Sequence, residues 1–327
     1  MPSDYLSWDS KRRSKAEISL ARHHRKLEVV WGFYNFLRTE GDIGLVTSGF
    51  FNAISEKRVG ENGAVSWAMK LKTETSSNVR HPIVPTDEEV ERVFDALGAH
   101  PNLFLAERNF LIGQVEARAG LRAMGAESLK LTSLDAMLEA EGIRSSGGSV
   151  GNLAHNKGEQ VRVRMALSQL MARGRTVLPM PVVEKGGKKR DVEIPIDLAR
   201  RLLDHVWGRR DGLIRRRRGA PRLHKGMLFV SWASGAPLTR GAIKDLVKDA
   251  FVTAKVRGSG HALRAHYLTS KAIELIEEAR KKFGNNYDPE DIFHELAKLA
   301  GHRHRRTLYA YLDVARLREA ALRELDE

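Results

Sequence analysis

GHRHRRTLYAYLD, residues 301–313, follows HALR, residues 261–264, by about forty residues near the C-terminal end of the chain. Three-residue spacing on a helix places His261 and Arg264 on one face and turns Leu263 toward a core. A proton-carrying ring and a guanidinium can then meet one target. In the longer stretch, Gly301 and His302 precede Tyr311, which stands nine residues after the histidine, with Tyr309 two positions before it. An HxxR pair alone also describes an ordinary solvated helix face, so the order of these groups along the chain carries the reading.

Two upstream features extend the pattern. Gly120-Leu121-Arg122, with Leu129 seven residues beyond Arg122, supplies another guanidinium. Residues 176–183 (TVLPMPVV) and 191–196 (DVEIPI) are rich in β-formers and flank Glu184 to Arg190 (EKGGKKR), which reads as a hairpin with a basic tip. In chain order, HALR, the AGH ending at His302, Thr307 and Tyr311 resemble the C-terminal boxes of the tyrosine recombinase, or phage integrase, family. That family's pattern is HxLR, then LGH, then a tyrosine nine residues later; Tyr311 falls on this register and Tyr309 does not. Gly120-Leu121-Arg122 looks like the family's first arginine box. Lys185 at the hairpin tip looks like its catalytic lysine, with Lys188 and Lys189 as rivals. The resemblance covers roughly residues 83 to 320.

It implies a mainly α fold with a small antiparallel β-sheet (α+β), made of a helical core-binding domain and a tyrosine-recombinase catalytic domain. The implied reaction is attack of the Tyr311 oxygen on a DNA phosphodiester. Negative charge then builds on the non-bridging oxygens, and groups that bind that charge best in the transition state accelerate the step. Arg122 and Arg264 are the expected clamp, since a planar guanidinium donates two hydrogen bonds while staying charged. The resemblance gives Lys185 the role of general acid for the departing 5′ oxygen, His261 that of assisting proton movement at the nucleophile, and His302 a hydrogen bond to the phosphate. A 3′-phosphotyrosyl bond on Tyr311 conserves the energy for religation, so neither ATP nor metal is needed and no cofactor is expected.

The implied partner is double-stranded DNA carrying a specific recombination site, bound by a homotetramer, with room for accessory proteins. The tail from Asp313 to Glu327 carries an apolar stripe, Val314, Leu317, Ala320, Ala321 and Leu325, suited to a neighbouring protomer or to its own domain. Some positions depart from the family pattern. Gly125 stands where an acidic residue often follows the first arginine, with Glu127 two residues on, and Ala265 precedes His266 where the family commonly has the histidine directly. The connection from Asp135 to the hairpin is long, and its Arg162, Arg164, Arg173 and Arg175 are candidates for DNA or protomer contacts. Two other readings share much of this chemistry: a DNA-binding or architectural protein without turnover, and a type IB topoisomerase or telomere-resolvase-like enzyme.

Composition agrees with a nucleic-acid partner without naming it. Across 327 residues, 55 Lys and Arg against 41 Asp and Glu give a net charge of +14. The basic run Arg215 to Arg218 suits either duplex backbone or solvent. The absence of cysteine excludes disulfides, thiolate metal sites and cysteine nucleophiles. No apolar run is long enough for a membrane span, and the charged N-terminus lacks the apolar core of a signal peptide, so a cytoplasmic, nucleoid-associated protein is expected.

Organisation follows from periodicity. Residues 1–80 read as a small helical domain, with helices over Ala16 to Leu37, Ser48 to Ser55 and Ala64 to Lys72. Thr73 to Pro85 is polar, with two prolines, and reads as a linker. Thr86 and Glu89 have capping-box spacing before Val90, Val93, Phe94 and Leu97, opening a catalytic domain over residues 81–327. A short strand is expected at Met227 to Trp232, and helices resume at Arg240.

Overall fold

The structure is a computed structural model that describes residues 29–32, 55–59, 65–69, 82–143, 146, 148–184, 187–217, 224–284, 286–301, 308 and 311–315. By internal contacts the chain divides into two compact units, Met1–Arg80 and His81–Glu327. The chain is mainly α, with small antiparallel sheets.

In the first unit, residues 29–32 are helical. Strands β1 (Ser55–Val59) and β2 (Val65–Met69) pair antiparallel, Val59 opposite Val65 and Lys57 opposite Trp67. This overturns the expected helix over Ala64 to Lys72. Val-Ser-Trp-Ala-Met alternates apolar and small residues, which a five-residue window fits to a period of two as well as to a helix. Its β-branched and aromatic members, with Gly60 and Gly63 between the strands, tip it to a hairpin.

The second unit opens with helix α1 (Asp87–Gly98), capped as the spacing requires. The Thr86 hydroxyl accepts from Glu89 N at 3.2 Å, and the Glu89 carboxylate accepts from Thr86 N at 2.9 Å. Val90, Val93, Phe94 and Leu97 form its buried face. Helix α2 (Leu103–Arg118) starts where the Asn102 side chain accepts from Phe104 N and Leu105 N. It packs against α1 through Phe94 and Phe110, edge to face at 5.7 Å. A β-carbon at Gly113 would lie 2.4 Å from Leu97 Cδ1, so glycine sets this close approach. Short helices α3 (Ala123–Ser128) and α4 (Leu131–Ala140) follow.

The long connection before the hairpin contains helix α5 (Lys157–Ala172), begun by the Asn156 cap. Its arginines have partners within the chain: Arg162 pairs with Glu159 at 3.1 Å, and Arg164 reaches Asp204 at 2.6 Å and lies over the Trp207 ring. Arg175 pairs with Glu141 at 2.9 Å. Strands β3 (Val177–Glu184) and β4 (Lys188–Pro195) form the hairpin, with Leu178 opposite Ile194 and Met180 opposite Val192 on the buried face. Pro179 and Pro181 fall on the other face, which a two-stranded sheet tolerates because every strand is an edge. Residues 188–190, expected in the tip, are already strand, so pairing shortens the loop.

Helix α6 (Ile196–His205) runs through a π-helical turn, Val206–Arg210, into α7 (Asp211–Arg216). Arg215 pairs with Asp211 at 2.7 Å, and Arg216 donates to Gly212 O and lies over Trp232. At the expected strand Met227 to Trp232 there are only isolated bridges, Met227 with Lys130 and Val230 with Pro237. Helix α8 (Arg240–Thr253) leads to α9 (Gly260–Phe283), and α10 (Pro289–Ala300) follows, with Pro289 in its first turn and Gly301 left-handed at its C-cap. Leu308, Tyr311, Leu312 and Ala315 are buried in a cluster with Leu268, Phe293 and Leu296 from α9 and α10. Full burial of side chains such as Phe293 and Leu296 contributes about 1.5–3 kcal/mol each. Among the described residues, no helix is long and apolar enough to cross a membrane.

Candidate active site

At the end of α2 the chain turns through Gly120, whose φ of +61° favours glycine. A β-carbon there would lie 2.3 Å from Tyr267 Cδ1 on α9, so the position also permits close approach of the two segments. Leu121 is buried, and Arg122 becomes the N-cap of α3 with extended backbone. These local requirements aim Arg122 at the first turns of α9, where His261 and Arg264 lie.

Arg122, His261 and Arg264 line a single cavity of about 510 Å³. Its wall also includes Glu116 from α2, Lys244, Asp245 and Lys248 from α8, and Ser259 and Gly260 at the start of α9. Arg264 is 1% exposed. Its guanidinium donates to the carbonyl of Gly120 through Nη1 and to that of Ala300 through Nη2. One side chain therefore ties the Gly-Leu-Arg turn to the end of α10, next to Gly301. Arg190, near the tip of the hairpin, donates to Leu299 O at 3.1 Å. Two guanidinium groups thus cap the carbonyl end of α10, where the helix dipole favours positive charge.

Electrostatics separate the roles of the ring groups. Burial, then the positive charges of Arg264 and Arg122, push the His261 imidazole below its ordinary value, so it is neutral at pH 7 and can accept a proton. Tyr311 is 2% exposed. Burial raises its phenol pKa, while Arg264 and Arg122 act in the opposite direction. The hydroxyl therefore stays protonated at neutral pH within the field of both guanidinium groups, which favour the phenolate oxygen as it develops. Burial also pushes the Glu116 carboxyl up to about 8.

The structure thus brings together Arg122, His261, Arg264 and, through its electrostatics, Tyr311. Lys185, His302, Thr307 and Tyr309 lie outside the described residues, as does most of the expected C-terminal stripe. Sequence reasoning missed Glu116, Lys244 and Lys248. Glu116 left a signal, a lone charge in the apolar run FLIGQVEA, residues 110–117. The two lysines, four residues apart on one helix face, left none that distinguishes them from solvated residues.

The fold resembles that of solved site-specific recombinases. Among solved structures, the chain is similar to the XerH site-specific recombinase bound to a palindromic difH substrate in a post-cleavage complex, with a TM-score of 0.54 and 16% identity over 95% of this chain and 69% of that one. It is also similar to XerH bound to difH in a pre-cleavage complex, with a TM-score of 0.50 and 16% identity over 94% of this chain and 66% of that one. At such identity the likeness is one of fold. No family model and no curated protein matches the sequence.

Proposed function

We propose that the protein is a site-specific DNA recombinase that cleaves and rejoins strands through a 3′-phosphotyrosyl intermediate on Tyr311. The observation that carries this reading is the placement of a buried tyrosine in the field of two arginines whose cavity also holds a neutral histidine. His261 takes the phenolic proton as the tyrosine oxygen attacks, and Arg122 binds the charge growing on the phosphate. Arg264 acts beside it, its two carbonyl bonds fixing its position at the cavity wall. Lys185 supplies the proton to the departing 5′ oxygen, and His302 donates a hydrogen bond to the phosphate. The fold likeness to DNA-bound recombinases supports duplex DNA as the partner, and two paired sites require a homotetramer, with residues 1–80 clasping the far side of the duplex.

The test is incubation with a suicide substrate carrying the protein's recombination site. The expected result is a covalent protein–DNA adduct whose DNA is joined through its 3′ end. Relaxation of supercoiled plasmid lacking such a site would support a topoisomerase instead, and binding without adduct would support an architectural protein.

A further inference from the structure

The cavity contains a group with no role in the chemistry above. Glu116 is 1% exposed, and its Oε2 makes no hydrogen bond among the described residues. Gly260, the first residue of α9, explains how the carboxyl fits: a β-carbon there would lie 2.4 Å from Oε2 and 3.2 Å from the carboxyl carbon. Leaving a buried polar atom without a partner costs about 1–3 kcal/mol, and such an atom calls for a ligand or another specific reason. Among the described residues, the ionisable groups facing the same space are Arg122 on α3, Lys244, Asp245 and Lys248 on α8, and His261 and Arg264 on α9. Cations predominate among them, as an anion with several oxygens requires.

We propose that Glu116 is a further phosphate-binding residue, which donates the O–H of its neutral carboxylic acid to a non-bridging oxygen of the DNA phosphate held by Arg122. The inference rests on the reading of this cavity as the phosphate site. With its pKa pushed up to about 8 by burial, the carboxyl is mostly the acid at neutral pH and so can donate where an ordinary glutamate only accepts. Ionisation replaces the donor with a negative charge against the phosphate. Affinity therefore holds below that pKa and falls as pH rises through it. His261 does not confound the fall expected above pH 8, because its pKa is lowered from an ordinary value that is itself well below that range.

Duplex affinity is measured in a Tyr311→Phe background, where covalent trapping cannot distort the equilibrium, from about pH 6.5 to about pH 9. The expected result is a flat profile that falls above pH 8 by up to about tenfold per pH unit, the slope for uptake of one proton. Glu116→Gln keeps a donor of the same shape and should flatten the profile. A flat profile with Glu116 present, or the same fall in Glu116→Gln, overturns the proposal. Should Glu116→Gln fail to fold, infrared spectroscopy of the wild type decides: a carboxylic-acid C=O band that shifts on DNA binding supports the role, and its absence overturns it. Covalent adducts with wild type report separately on strand transfer. Adducts with a Glu116-independent profile sink the Glu116 role alone, whereas a Glu116-dependent profile without adducts sinks strand transfer and supports the phosphate site.

Discussion

Replacing Gly120 with alanine perturbs the fold and the site at one point. The backbone there has φ of +61°, and holding an L-residue in the left-handed region costs about 1–2 kcal/mol. The new β-carbon would also sit 2.3 and 2.5 Å from ring carbons of Tyr267, which is buried and cannot swing into solvent. Overpacking of this kind costs about 1–3 kcal/mol. The combined loss is roughly 2–5 kcal/mol, a large part of the ~5–15 kcal/mol that holds a typical domain folded. For a unit of this size the melting midpoint should drop by roughly 2–4 °C for each kcal/mol. Urea unfolding, read as a lowered midpoint with unchanged slope, provides the measurement. Gly142→Ala is the control, because Gly142 has φ of +71° and nothing within 4 Å of its would-be β-carbon, so it carries the backbone cost alone. Since Gly120 O anchors Arg264, strand cleavage should fall further than unfolding explains. A Gly120→Ala protein within about 0.5 kcal/mol of wild type would refute the close approach on which the placement of Arg122 depends.

Lys185→Ala should slow cleavage by a factor on the order of 10² to 10⁴ with DNA affinity nearly unchanged, and a substrate with a 5′-bridging sulfur, which leaves without protonation, should restore much of the rate. The same loss in Lys188→Ala or Lys189→Ala instead would assign the general acid to that lysine. Arg118→Ala addresses the pair with Asp197, whose carboxylate accepts two hydrogen bonds at 2.7 and 2.8 Å. The hydrogen bond from Arg118 holds the Asp197 carboxyl below its ordinary value, so its stabilisation is present above that value and lost as pH falls through the lowered one. Both partners are partly exposed, so the variant should lose at most about 1 kcal/mol near neutrality and converge with wild type in acid, as thermal melts at several pH values will show.

The features legible in the sequence were those set by local chemistry. Thr86 and Glu89 announce a helix start because a capping box is a relation between neighbours, and residues 176–183 and 191–196 announce a hairpin because runs of β-formers flank a glycine-containing basic turn. HALR placed His261 and Arg264 together for the same reason. What the sequence could not show was contact at a distance. The carbonyl partners of Arg264 lie 144 and 36 residues away, and the cavity faces of Glu116, Lys244 and Lys248 depend on the packing of α2, α8 and α9. The strand Val65–Met69 is not legible in the sequence because five residues are too few for their period to separate strand from helix.

Mapping the covalent adduct tests the central claim most directly. Wild type, Tyr311→Phe and Tyr309→Phe are each incubated with the suicide substrate, digested, and the DNA-linked peptide sequenced. Tyr311→Phe removes the attacking oxygen but keeps the buried ring, so the variant should fold and bind DNA while forming no adduct, and wild type and Tyr309→Phe should both yield DNA on Tyr311. Adduct that persists in Tyr311→Phe and vanishes in Tyr309→Phe would contradict the account.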